Sequence, residues 1–396
     1  MNYLRNHVKK KIRLFLVIRS IFSVFYINIL ILLSRVKNKK IFFFYYPRKL
    51  TTKNHTFYIE DLFESFLSET TIIYGHEAHH LELGKNYIYI KENFFKFILS
   101  VDIFISTSVC DKFITNSKKI YLNHHIYDSP MVNFEKEKHL CKRLSSYDVV
   151  FIASQNLIKF YNNMFKRHDH NIGIKMPILK EIGYPKFDFL EKKIKNLSIG
   201  NKKKCILISP TNIEADPKFS LMNDLVELIE KLLDGTDFDI IYRPHPSNRY
   251  DPQVLIIRDK FSEEKKFYYD ISEDYSEVFS KSFCMISDHS DTAYMFSFLT
   301  MHPVVFYSNR NLENFIKSNE TKIKFYDYKN LNYFTNRDKI GIIINDLSSI
   351  SEKIQALSRD CKKYAPLISK FSKEIKYLGR SKERFEEEVK SLIFKS

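Results

Sequence analysis

DIIYRPHPSNR, residues 239–249, sets a β-branched and aromatic run directly before a cluster of hydrogen-bond donors. Ile240, Ile241 and Tyr242 predict a buried strand, and Pro244 ends its ladder by removing a backbone donor. Arg243, His245, Ser247, Asn248 and Arg249 then fall where the strand leaves its sheet. In an open parallel sheet that carboxyl edge is where ligands bind. Donors without a neighbouring carboxylate point to an anionic ligand, the plainer alternative being a polar turn.

Outward from this stretch, short apolar runs alternate with amphipathic ones, the signature of βα units and a parallel sheet. In the second half, strands are predicted at 202–211, 284–288 and 303–308, with helices near 218–234 and 291–300. In the first half, strands are predicted at 41–46, 70–75, 101–107, 119–124 and 148–154, with helices at 57–69 and 156–168. A charged, helix-like segment, 189–201, separates the two series. The expected fold is α/β: two Rossmann-like doubly wound domains facing a cleft, the GT-B arrangement. The expected boundaries are a basic, apolar segment 1–40, an acceptor domain 41–195, a nucleotide-donor domain 196–370, and a helix 371–396 packing across the junction.

With 396 residues and a 44% hydrophobic fraction, the chain can bury two ordinary cores. Its five cysteines are scattered and never paired as Cys-x-x-Cys, which argues against a disulfide framework or zinc ribbon and fits a reducing compartment. The net charge of +16 suggests nucleic acid until it is located: residues 1–40 hold ten Lys/Arg and no Asp or Glu. Between two basic clusters lies SIFSVFYINILILLS, residues 20–34, interrupted by Ser23 and Asn28. A span needs about 20 apolar residues, so counting from Leu14 gives an impure one. Three readings stay open: a membrane-associating interfacial helix, a transmembrane anchor, or a soluble protein's core helix.

GHEAHH, residues 75–80, is formally a zinc-protease motif, but it follows a strand rather than lying in a helix and reads as a loop. RHDH, residues 167–170, reads as a solvated helix end. Neither a Gly-x-Gly-x-x-Gly nor a Walker loop is present, so bound phosphates must rest on helix N-termini and basic side chains. Ser287, Asp288, Ser290, Asp291 and Thr292 offer caps for such a terminus opposite His245. His124 and His125, at the end of the 119–124 strand, face the same notional cleft, where a histidine suits general-base work.

Taken in order, YLNHHIYDSP (121–130), IGYPKFDFL (182–190), ILISPTN (206–212), IIYRPHP (240–246) and ISDHSDTAYMFSFLTMHPVVFY (286–307) resemble the CDP-glycerol glycerophosphotransferase family, polymerases of teichoic acid and related capsule backbones. The resemblance implies that His124 or His125 is the base on the acceptor hydroxyl. It implies that His245, supported by Arg243, meets the donor phosphates. Ser290 and Thr292 would bind the pyrophosphate, with Thr211, Asp288 and Asp291 lining the same site. Three positions depart from the pattern: the family's Trp-His-Gly is absent, Lys186 replaces an arginine, and Asp291 replaces a common second serine.

The expected activity is transfer of glycerol phosphate, or another polyol phosphate, from a CDP-polyol to a saccharide or polyol-phosphate acceptor, lipid-linked or free. No cofactor or metal is expected, since no carboxylate cluster is visible to hold one. The expected place is the cytoplasmic face of the bacterial inner membrane, peripheral or monotopic. One alternative is a GT-B glycosyltransferase using a CMP-, UDP- or GDP-sugar. The other is a non-catalytic basic protein binding membrane or nucleic acid, which the concentration of most of the net charge in residues 1–40 weakens; no nucleic-acid partner is expected.

Overall fold

The computed structural model describes residues 2–46, 57–77, 87–126, 134–172, 174–197, 204–213, 217–311, 313–314 and 332–394. Seven parallel strands form the first sheet: β1 (Lys40–Tyr46), β2 (Thr70–His76), β3 (Tyr87–Tyr89), β4 (Ile103–Ser106), β5 (Lys118–Leu122), β6 (Val149–Ile152) and β7 (Ile178–Glu181), in the order β3-β2-β1-β4-β5-β6-β7. Six more form the second: β8 (Cys205–Ile208), β9 (Asp239–Tyr242), β10 (Phe267–Tyr269), β11 (Ser282–Ser287), β12 (Val304–Tyr307) and β13 (Gly341–Ile344), in the order β10-β9-β8-β11-β12-β13. Every pairing is parallel. The central strands are apolar on both faces because helices cover both sides; residues 41–46 of β1 are all buried.

Each sheet reverses its direction of growth once, between β1 and β4 and between β8 and β11. Such switch points open a crevice at the strands' carboxyl ends. The helices used below are α1 (Asn2–Val36), α2 (Phe134–Leu144), α3 (Gln155–Ile172), α4 (Pro185–Asn196), α5 (Leu225–Gly235), α6 (Asp291–Thr300) and α7 (Ser381–Phe394). The predicted 291–300 helix is α6 itself, and the helix predicted near 218–234 is α5 preceded by two short 3-10 turns. One apolar cluster runs through both halves, joining Tyr121, Tyr184 and Phe187 to Tyr275, Ala293 and Tyr294.

The last helix returns to the first half. Phe385 of α7 packs against Phe63, Phe66 and Phe151 at ring-centroid distances of 5.6, 6.2 and 5.7 Å. Lys382 reaches Asp61 and Glu64, both at 3.3 Å.

Helix α1 lies along the flank of the first sheet. Ser20, Ser23, Ile27, Ile31 and Ser34 are buried on one face, while Phe15, Phe22, Phe25 and Leu33 stand exposed on the other. The two residues that spoil a membrane span are those that dock the helix. The Ser23 hydroxyl donates to the Tyr89 carbonyl at 2.6 Å, and the Asn28 amide bonds the Phe97 carbonyl at 3.0 Å and the Leu99 N–H at 2.8 Å. The Arg19 guanidinium sits 4.8 Å above the Tyr89 ring.

Candidate active site

Loops from both sheets meet at the carboxyl edges. After β5, the Asn123 side chain accepts from the His125 N–H at 2.7 Å and donates to the Tyr161 hydroxyl at 2.6 Å, which fixes the His124–His125 turn. The two imidazoles lie 4.3 Å apart. His124 Nδ1 is 2.9 Å from the Thr107 carbonyl oxygen, a group that only accepts. The hydrogen therefore sits on Nδ1, and Nε2 keeps its lone pair. His125 Nδ1 is 2.7 Å from Asp291 Oδ2, so the same argument makes its Nε2 the basic nitrogen. That second contact joins the first half's loop to the first turn of α6.

His245 has the opposite arrangement. Its Nδ1 accepts from the Ser247 N–H at 3.2 Å as it leads the turn Pro246–Asn248, so Nε2 carries the hydrogen. The strand-end histidines of the first half present an acceptor; His245 presents a donor.

Arg243 is buried and held. It pairs with Asp270, bonds the Ser272 hydroxyl at 3.1 Å and carbonyl at 2.7 Å, and lies 5.0 Å over the Tyr275 ring. Both terminal nitrogens are thus taken, and the residue supplies fixed positive charge behind the site. Ser290 is the N-cap of α6, its hydroxyl accepting from the Thr292 N–H at 3.3 Å. Thr292 thereby lies in the first turn, and Thr211 stands across the second switch point after β8.

The two acidic positions, expected to line the phosphate site, are both engaged by protein groups. Asp288 is fully buried: Oδ1 accepts from the Thr211 and His289 N–H groups at 2.8 Å each, and Oδ2 from the Leu221 N–H at 2.9 Å. It braces three loop amides. Asp291 points its carboxylate at His125 instead. RHDH also departs from expectation. His168 is buried, and its Nε2 and Arg167 Nε lie 3.0 and 2.9 Å from the buried carboxylate of Glu137 on α2, so this part of α3 faces inward. In GHEAHH, His76 ends β2, and the histidines at 79 and 80 lie outside the described residues.

The Gly-Tyr-Pro-Lys segment supplies residues that the motif alone does not explain. Gly183 has φ +78°, and a Cβ there would lie 2.6 Å from the Tyr377 carbonyl oxygen, so only glycine fits. The Tyr184 hydroxyl donates to the His124 carbonyl at 2.8 Å, and its N–H to the Ser381 hydroxyl at 2.7 Å. Asp188 caps α7 from outside, accepting from the N–H groups of Gly379 at 2.9 Å, Ser381 at 2.5 Å and Lys382 at 3.2 Å. Burial pushes its carboxyl up to about 6 against the pull of these bonds. Lys186 is buried in the seam, where desolvation first and the Arg243 charge second lower its amine to about 7. Asn123, Tyr184 and Asp188 lie inside the quoted motifs, but their letters gave no sign of these bracing roles.

This edge of basic imidazoles, a donor imidazole and a capped helix terminus has a counterpart. The family model described as CDP-Glycerol:Poly(glycerophosphate) glycerophosphotransferase matches residues 26–391. The chain belongs to this family. It is therefore a glycerophosphate transferase, built on the GT-B arrangement of two parallel sheets. Among solved structures, the wall teichoic acid polymerase TagF is similar at 18% identity and TM-score 0.59, covering 90% of this chain and 89% of that one. MnaA of S. aureus, solved with UDP, is similar at 12% identity and TM-score 0.57, covering 90% and 97%. A glycosyltransferase from Rickettsia africae is similar at 15% identity and TM-score 0.52, covering 91% and 100%. These likenesses show the fold. No curated protein matches the chain.

Proposed function

We propose that the chain moves glycerol phosphate from CDP-glycerol to a hydroxyl of a surface-polymer acceptor, saccharide or polyol phosphate, as in teichoic acid or capsule synthesis. The observation that carries this reading is the His125–Asp291 contact at 2.7 Å, which puts both strand-end imidazoles beside the first turn of α6. A basic nitrogen from the first half and an anion-binding helix end from the second then share one site. Nε2 of His124 or His125 takes the acceptor proton, and the hydroxyl oxygen attacks the phosphorus that bears glycerol. The bond between that phosphorus and the bridging oxygen breaks, and CMP leaves with the electron pair. His245 Nε2–H and the α6 terminus, with Ser290 and Thr292, offset the charge that grows on the phosphates, while Arg243 adds a fixed cation behind them. Thr211 lines the opposite wall.

The test is to incubate the protein with a glycerophosphate-primed acceptor and CDP-glycerol, CDP-ribitol, UDP-glucose or GDP-mannose. CMP release matched by acceptor growth of one glycerol phosphate per event supports the reading. Turnover of the sugar nucleotides alone overturns it.

The outer face of α1 fits a membrane surface of the cytoplasmic side. Phe22 and Phe25 are 70% and 68% exposed, on a helix flanked by basic residues at both ends. Because Ser23, Ile27, Asn28 and Ile31 hold the other face to the sheet, the helix is suited to lie in the interface rather than cross the bilayer.

A further inference from the structure

Lys186, in the first turn of α4, is 7% exposed. Its ammonium lies 5.6 Å from the Phe57 ring, contributed by the first half, and 5.1 Å from the Tyr275 ring, contributed by the second. Among the described residues it has no hydrogen-bond acceptor and no carboxylate within ion-pair distance. The acids of the surrounding elements are committed elsewhere: Asp188 to the α7 amides, Asp270 to Arg243, and Asp274 to Lys193 and Ser276. The charged group that acts on it is Arg243, which shares the Tyr275 ring at 5.0 Å. Ring faces compensate only part of an ammonium's lost hydration. A cation buried without a counter-ion is a place for an anion to enter.

We propose that Lys186 is a ligand of the donor diphosphate and takes up a proton from solvent as the donor binds. This rests on the proposed donor. With the amine lowered to about 7 in the free protein, a bound diphosphate restores its charge, so binding is tight below pH 7 and weakens as pH rises above it. The expected loss is about tenfold in affinity per pH unit above about 7, until the amine's pKa in the complex is reached. Arginine at this position keeps the charge but does not titrate in this range.

CDP-glycerol carries no group that titrates between pH 7 and 9, since its diphosphate is already fully ionised and its base and hydroxyls titrate well outside that window, so a pH trend there belongs to the protein. The experiment is calorimetric titration of CDP-glycerol without acceptor, at several pH values from 6.5 to 9, in buffers of different ionisation heat. It uses full-length wild type, K186R and K186M, with circular dichroism to check that each is folded. Expected are a fraction of a proton taken up by wild type near pH 7, rising towards one near pH 8, binding without uptake in K186R, and at least tenfold weaker binding in K186M at pH 6.5. Wild-type uptake that persists in K186R, or K186M binding as wild type does, overturns the proposal while leaving the donor intact. No binding of CDP-glycerol by any form overturns the donor reading and this one together.

Discussion

Replacing Tyr184 by phenylalanine removes one oxygen and leaves the ring in its buried place. That oxygen donates 2.8 Å to the carbonyl of His124. One such bond is worth about 1 kcal/mol net, and about 2 if the carbonyl is left dry in its half-buried position. If the bond holds the His124 backbone in register for proton transfer, the loss falls on the transition state. At about 1.4 kcal/mol per tenfold, kcat drops by roughly 5- to 30-fold. Tyr184 has no bond to Arg243, His245 or α6, so KM for the donor stays within about twofold. The assay is CMP release at saturating acceptor, with urea unfolding followed by far-UV circular dichroism, since the chain has no tryptophan to report by fluorescence. A kcat within twofold of wild type refutes the reasoning. So does a raised KM at unchanged kcat, which would make Tyr184 part of the donor wall.

Asp288→Ala strands three amides that now share one buried carboxylate. Urea unfolding is expected to show a loss of about 3–5 kcal/mol, and a loss below about 1 would contradict the bracing role. Asp188 titrates near 6 when folded and near 3.9 when unfolded, so the folded state binds more protons between these values. Its contribution is present below about pH 4 and lost as pH rises through 6; between these values the wild-type urea midpoint should fall more steeply with pH than that of Asp188→Ala, and equal slopes would remove the assignment. The double substitution Phe22→Asp, Phe25→Asp withdraws two side chains worth about 1.5–3 kcal/mol each on burial, so co-sedimentation with anionic vesicles should fall at least a hundredfold with activity on soluble acceptor retained. Unchanged sedimentation would refute the membrane face.

Strands buried on both faces announce themselves. Ile41 to Tyr46 and Val304 to Tyr307 are unbroken apolar runs, and their places follow from the letters. The four strands left out of the sequence reading, β3, β7, β10 and β13, are the four edge strands. An edge strand has a partner on one side only and tolerates exposed or charged positions, as Lys180 in β7 and the exposed Tyr268 in β10 show. The histidines were legible as strand-end residues, but their proton positions depend on Thr107, Ser247 and Asp291, two of which lie far away in sequence. Asp288 and Asp291 looked alike as acids near a cap. Only the fold separates the one facing inward from the one facing the neighbouring half.

The return of α7 to the first sheet also orders events at the ribosome. Phe385, Val389 and Ile393 complete a core whose other members, from Phe42 to Ile182, are made much earlier. At about 5–20 residues per second, the interval from the end of α4 to the start of α7 lasts roughly ten to forty seconds. Throughout it the nascent first half carries an open apolar slot lined by Phe63, Phe66 and Phe151. The second half, whose own strands are contiguous in the chain, can close its sheet while the first still waits for its final helix, so the later-made half is the one able to finish first.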